Sequence, residues 1–404
     1  MHEKVRVVQV SQPAEAVAVI KPDYIVIAFR LYLLTLFLTV YYLNPAQAIV
    51  LPEDRADVLY HSYDGGGAKI DGPSILVRKK FNENFSATVN HYVDNVSSAS
   101  IDVITTASPY TEKREENSVS IDYLHEKTLM TLGFTKSDES DFNAKTFGFN
   151  ISQDMFGDLT TVTLGYAEGE NRIGQNTDPS FEKNADTRNY RMSLTQVITK
   201  ELIMAFALET ITDEGFLNNP YRSVRYIDNT NGNGYSFQSE IYPNTRTSNS
   251  IAIRARYFLP HRAALHGGYR IFNDSWGISA STYELGYTLP HKEDWIFEFS
   301  YRYYDQTSAD FYSDLFPFID ALNFLARDKE LSSFSDQTFG VSGSYEFIKD
   351  GGGYFKRGSV SFHYDRLQFE YDDFRDISIS STAGSEPNYK LSANVIRFFL
   401  SVWF

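Results

Sequence analysis

The chain has 404 residues, no cysteine, a formal net charge of −15 at pH 7 and 15% aromatic residues. Without cysteine there is no disulfide, thiolate metal site or lipid-modified cysteine, and the acidic balance argues against nucleic acid as a partner. A mean hydropathy of −0.33 is too polar for a bundle of membrane helices, but it suits a wall of strands in which only alternate residues face lipid.

The amino-terminal stretch is read first. An apolar core, Leu31–Val40, follows Arg30 and runs into Leu43-Asn-Pro-Ala-Gln-Ala48. Small residues at Ala46 and Ala48, with Pro45 breaking the helix before them, make a signal-peptidase site. Residues 1–48 are therefore expected to be a signal peptide cleaved after Ala48. The uncharged run is short for a transmembrane anchor.

From about residue 56 onward the texture is uniform, with no linker, so residues 49–404 are expected to form one domain. Residues 49–57 read as a short periplasmic lead. Segments of period-2 alternation then recur with turn signals between them. Sixteen are expected, at 57–64, 72–80, 85–94, 117–126, 128–137, 144–153, 159–169, 187–198, 201–212, 247–258, 263–272, 278–289, 294–304, 336–348, 357–370 and 389–404. Phe147, Phe149 and Ile151, for example, oppose Thr146, Gly148, Asn150 and Ser152, and Trp295, Phe297, Phe299, Tyr301 and Tyr303 oppose Glu298, Ser300 and Arg302. Short connections such as Asn82–Asn84 and Thr199-Lys200 alternate with long ones at 95–116, 170–186, 213–246, 305–335 and 371–388. In the last segment Ile396, Phe398, Leu400, Val402 and Phe404 share one face, and a terminal aromatic closing such a strand is the mark of an outer-membrane barrel. Backbone groups in lipid must all be paired, so the strands must close into a cylinder. The expectation is an all-β, single-chain antiparallel transmembrane β-barrel of sixteen strands, in the outer membrane of a Gram-negative bacterium, with both termini periplasmic. Fourteen strands is the alternative if 57–64 is only a lead and another segment pairs poorly.

Tyr63-Asp-Gly-Gly-Gly67, Val93–Asp102, Ser152–Asp158, Phe216–Tyr226 and Phe324–Leu331 resemble a family of proteobacterial outer-membrane proteins catalogued as domain-of-unknown-function family 3570. The resemblance, over nearly all of the chain after residue 48, implies an outer-membrane barrel and no established activity, substrate or cofactor.

Three regions are candidates for function. By alternation Arg191, Glu209, Arg254, Arg256, Arg270, Glu284, Glu298, Arg302, Glu346 and Arg397 point into the lumen, because a charge facing lipid costs roughly 2–4 kcal/mol at the midplane. They form either a selectivity lining or a structural network between the walls. The 305–335 connection is too apolar for a solvated loop. Leu315, Ile319 and Leu322 recur at near-helical spacing and Pro317 suits a helix start, so a short helix is expected to fold into the lumen or cap its mouth, placing Phe311, Leu315, Phe316, Ile319, Arg327 and Lys329 at a constriction. In the 213–246 connection, Asn229–Gly234 reads as a flexible tip, while Arg222 and Arg225 either grip an anionic ligand such as a lipopolysaccharide phosphate or pair with Asp213 and Glu214. The histidines are scattered, with no metal-ligand spacing, and no phosphate-binding glycine loop is present.

The function expected is passive passage of small solutes or ions through a lumen narrowed by 305–335. The alternative is a closed barrel acting as a binding or accessory protein for a secreted or redox partner; a barrel hydrolase or acyltransferase is a distant third. No catalytic residue, cofactor or metal is expected. Expected partners are outer-membrane lipid and lipopolysaccharide and, through the C-terminal strand, the barrel-assembly machinery.

Overall fold

The computed structural model describes residues 49–98, 110–349, 353–379 and 382–404. The expected signal peptide and its cleavage site, parts of the 95–116 and 371–388 connections, and Asp350–Gly352 of the last short turn lie outside the described residues.

Sixteen antiparallel strands close into a barrel. In chain order they are β1 (Arg55–Gly65), β2 (Ala68–Lys80), β3 (Phe85–Ser98), β4 (Tyr110–His125), β5 (Thr128–Asp138), β6 (Phe142–Met155), β7 (Thr160–Ile173), β8 (Lys183–Val197), β9 (Leu202–Gly215), β12 (Thr245–Phe258), β13 (Ala264–Asp274), β14 (Ser279–His291), β15 (Trp295–Gln306), β16 (Phe334–Ile348), β17 (Arg357–Arg375) and β18 (Asn388–Trp403), while β10 (Ser223–Ile227) and β11 (Tyr235–Ser239) form a separate hairpin. Each of the sixteen expected segments is a barrel strand, so the fourteen-stranded alternative is set aside. The strands run further outward than the alternation suggested: β4 begins at Tyr110 and β17 ends at Arg375. Where strands project beyond the apolar belt they alternate polar residues, so the hydrophobic pattern fades while the ladder continues.

Closure is made by β18, which pairs with β17 on one side and β1 on the other, with Arg55 opposite Trp403 and His61 opposite Arg397. A closed cylinder leaves no strand edge unpaired. The belt is built by the outward residues of every strand, among them Ile75, Val119, Phe134, Leu208, Leu285, Phe299, Val341 and Phe398, all well exposed. A continuous apolar surface of this kind has no place on a water-soluble protein and fits lipid. Aromatic residues ring the lower rim. Trp295 packs on Tyr345 with centroids 4.7 Å apart, and Tyr354 stacks on the terminal Phe404 at 5.5 Å.

One strand shows how a local residue choice serves the wall. The β2–β3 ladder is interrupted between Asp71–Asn95 and Ser74–Tyr92, at Gly72-Pro73. Proline has no N–H to donate, and a Cβ on Gly72 would lie 1.9 Å from the Val93 carbonyl oxygen. Only glycine permits so close an approach of the two backbones.

Candidate functional site: a capped lumen

Chain direction sets the two ends of the cylinder. The short turns and both described ends lie at the lower rim, and the long connections lie at the upper rim. Two of the upper connections, β9 to β12 and β15 to β16, interlock over the mouth. The first carries the β10–β11 hairpin, whose tip, Asn229–Gly234, closes on itself through Asp228 N to Gly234 O (3.0 Å) and Gly234 N to Asn231 O (2.9 Å). The flexible tip expected there is thus an ordered turn, and Asn-Gly between short alternating runs was the signal for it. The second connection embraces the hairpin. Phe316 pairs with β10, accepting from Ile227 N at 2.9 Å and donating to Arg225 O at 2.9 Å, while Leu325 exchanges both backbone bonds with Ile241 (3.0 and 2.7 Å). These pairings explain why the expected helix is absent. The backbone groups that a helix would satisfy internally are engaged by the neighbouring connection, and Asp320, with φ of 53°, turns the chain sharply. Around the turn, Ile319 and Phe318 are exposed, so Ile319 lies on the outer surface and not at a constriction.

The capping segments enter the lumen with an apolar core. Leu217, Tyr242, Trp276, Phe311, Ala326 and Leu331 pack on the inward residues Phe142, Ala144, Ile173, Ala185, Phe272 and Ala280 of the wall. Several wall positions are alanine, leaving room for the large rings. Trp276 sits edge-on to Tyr242 and Phe311, with centroids at 5.5 and 5.0 Å, and the Arg246 guanidinium lies 4.8 Å above it. Leu315 contacts the neighbouring connection, where a Cβ on Gly384 would come within 3.2 Å of it.

Charges latch the cap. Arg225 of β10 is fully buried and donates to Asp314 and to Glu386 (Nη1–Oε1 2.5 Å, Nη2–Oε2 3.2 Å). Arg327 reaches the same Asp314 carboxylate at 3.0 Å and Arg375 reaches it at 3.3 Å. Burial works to raise the Asp314 carboxyl, but the Arg327 and Arg225 guanidiniums outweigh it and hold the group below its ordinary range. A second buried group lies beside the first. Glu240 accepts from Tyr242 Oη at 2.6 Å and Arg327 N at 2.8 Å, and Arg222 pairs with Asp328 at 3.2 Å. Burial, with the nearby Asp328 charge, pushes Glu240 up to about 7. Arg225 is held by Asp314 and Glu386 and Arg222 by Asp328, and both are buried, so they are structural cations of the cap and do not face outward to grip a phosphate. Lys329 is likewise buried, 3.6 Å from Glu330.

Below the cap the lumen is polar. All ten expected inward charges sit on the lumen side, and most pair along the wall within one or two strands. Arg270 lies 3.6 Å from Glu209, Arg254 lies 3.9 Å from Glu284, Arg302 lies 3.0 Å from Asp336, and Arg397 lies 2.5 Å from Asp365. Arg191 reaches Asn150 at 3.4 Å, Glu346 meets Arg357 at 3.8 Å, and Glu298 faces His266 at 3.5 Å, opposite whose strand position Arg256 stands. Depth divides them. Glu284 and Glu298 keep 36% and 38% of their side-chain surface, whereas Arg397 keeps 1%. The lower lumen therefore has a solvent-accessible stretch lined by Arg254, Glu284, Glu298 and Arg302. The alternation missed the acidic partners Asp336 and Asp365, whose inward placement follows from the same period. It also missed the buried His61–Asp94–Arg114 chain (2.8 and 3.1 Å) on the opposite wall.

Comparison with known proteins is consistent with this architecture. A family described as "Protein of unknown function (DUF3570)" matches residues 175–353. The resemblance is borne out over that stretch, which holds the Phe216–Tyr226 and Phe324–Leu331 motifs, though it is narrower than expected. No curated protein matches. Among solved structures, the siderophore receptor PirA from Acinetobacter baumannii aligns at 11% identity with a TM-score of 0.42, covering 87% of this chain and 60% of the receptor. A bacterial polysaccharide outer membrane secretin aligns at 5% identity and a TM-score of 0.46, covering 87% and 99% of the two chains. A Pseudomonas aeruginosa FadL homologue aligns at 8% identity and 0.43, covering 91% and 94%. The present chain spans 60% of the length of the siderophore receptor.

Proposed function

We propose that this protein is a gated passage for small polar solutes in the bacterial outer membrane, shut on its external side at rest by the interlocked cap. One observation carries the reading: a solvent-accessible stretch bearing acidic and basic side chains lies directly under a lid held by a few buried charges. Arginine and glutamate side by side on one wall favour small solutes that carry both polar and charged groups over bulky apolar ones. On this reading the external connections close the lumen where a narrowing was expected, and the solute must await a cap opening. Lipid meets the apolar belt, and β18, the closing strand, is the element offered to assembly machinery.

The test is single-channel conductance in a planar bilayer. Intact protein is expected to be silent or to open rarely. A variant in which Phe216–Tyr242 and Phe311–Leu331 are replaced by short Gly-Ser links is expected to conduct steadily. Silence of that variant, in a sample shown to be folded by heat-modifiable gel mobility, would favour the closed binding or accessory barrel instead.

A further inference from the structure

The six residues before β1 make an unusual journey. At their carboxyl end Asp54 is tied to β2, through Lys79 Nζ and Lys80 N, each at 2.6 Å, and to the C-terminus, where Phe404 N donates to Asp54 O at 3.3 Å. At their other end Ile49 N donates to Asp154 Oδ2 at 2.6 Å, and Asp154 is the inward-facing carboxylate near the foot of β6. β1 and β6 are five strand spacings apart, about 24 Å along the wall at ~4.8 Å each. The lead can reach roughly 20 Å when extended. It therefore cuts inside the curve of the lower rim, with Leu51 buried and Val50 and Leu51 bordering a cleft over Phe81 and Leu124.

Asp154 is the telling residue. Its side chain is almost wholly buried, and its two oxygens accept from Ile49 N and from Thr161 Oγ1 at 2.6 Å. Among the described residues no side-chain cation pairs with it. A buried carboxylate without a counter-charge is costly. The atom it does hold is the nitrogen that follows Ala48.

We propose that Asp154 is the binding site for an ammonium that exists only after processing. Hydrolysis of the Ala48–Ile49 bond by a signal peptidase takes up one water. It leaves a carboxylate on Ala48 and frees the Ile49 amine, which is largely protonated at neutral pH. The neutral amide donor becomes a cation on the buried carboxylate, a stronger charge-assisted bond. Removal of the leader then fastens residues 49–54 as a strap across the lower mouth. This inference goes beyond the gated-passage reading and stands or falls without it.

The experiment uses the full-length gene product, exported and purified from membranes. Intact mass is expected to place the first residue at Ile49. Acetylation of the α-amine with a water-soluble succinimidyl ester at pH 7.5, followed by mass spectrometry, is expected to be at least tenfold slower than in Asp154→Asn. A second variant with one glycine inserted between Ala48 and Ile49 keeps Asp154 but displaces the ammonium, and it is expected to label as fast as Asp154→Asn. That variant carries the test should Asp154→Asn fail the heat-modifiable mobility check for folding. A different first residue, or equal labelling rates in the wild type and the folded variants, would overturn the proposal.

Discussion

Arg225 and Asp314 lie 89 residues apart in the chain and meet in one buried ion pair, their side chains 0% and 2% exposed. The pair joins the two external connections that cap the barrel. Glu386 and Arg375 extend it to the β17–β18 side of the mouth, so a single charge cluster ties the lid to the rim in two places. Several buried charges in one network hold geometry tightly when complete and fail sharply when one member is lost.

Arg225→Ala should therefore loosen the cap while leaving the wall intact. Removing one partner of a buried pair costs about 3–5 kcal/mol. Hydrogen exchange across residues 216–242 and 311–331 is expected to rise strongly, while exchange in β1 to β9 stays unchanged. Arg225→Lys should recover only part of the protection, because a lysine cannot bridge Asp314 and Glu386 with a planar fork. Uniform exchange in the wild type and the alanine variant would show that the pair does not hold the cap.

The cap should also respond to pH through Glu240. Its folded value of about 7 lies above that of an unfolded glutamate, so the folded cap binds the proton more tightly. Stability from this group is complete below about pH 4.3 and is lost as pH rises through about 7. The shift corresponds to a few kcal/mol at most, at ~1.4 kcal/mol per unit. Cap exchange, corrected for the intrinsic rate, is expected to be better protected at pH 5.5 than at pH 8, and Glu240→Gln should flatten that difference. A cap tighter at pH 8 would contradict the assignment.

Trp276 offers an optical check. It lies buried between Tyr242, Phe311 and Arg246, whereas Trp295 is on the outer, lipid-type face of the lower girdle. Trp276→Ala should cost about 3–5 kcal/mol of local stability and remove a fluorescence component that aqueous quenchers cannot reach. That component, shielded in the wild type, should become quenchable in Arg225→Ala, whose cap is loosened. If Trp276 is quenched equally in both, the cap does not seal the ring cluster.

The apolar belt predicts a contrast between neighbours. Leu285 faces outward with 59% of its surface exposed, and the adjacent Glu284 faces the lumen. Leu285→Arg is expected to destabilise the bilayer-inserted barrel by about 2–4 kcal/mol and to lower refolding yield in liposomes. Glu284→Gln, one residue away, should refold normally. The reverse result would mean that the register of β14 is off by one.

Much of this architecture follows from order along the chain alone. Sixteen strands, their pairing order and the ten inward charges all follow from alternation, because a period of two assigns each side chain to lipid or lumen without knowledge of any distant residue. The closing role of β18 follows from the same rule applied to the last residues. What the chain order did not contain is the cap. Near-helical spacing of Leu315, Ile319 and Leu322 pointed to a helix, yet Phe316 and Leu325 pair instead with Arg225 and Ile241, residues from another connection. Arg222 and Arg225 resembled surface cations seeking an anion, and only their burial against Asp328, Asp314 and Glu386 made them latches. Local pattern fixes a strand's two faces because the wall is periodic. The partners of an aperiodic loop are set by which other loop folds over it, and that is decided only when the barrel closes and brings β9, β15 and β17 to one mouth.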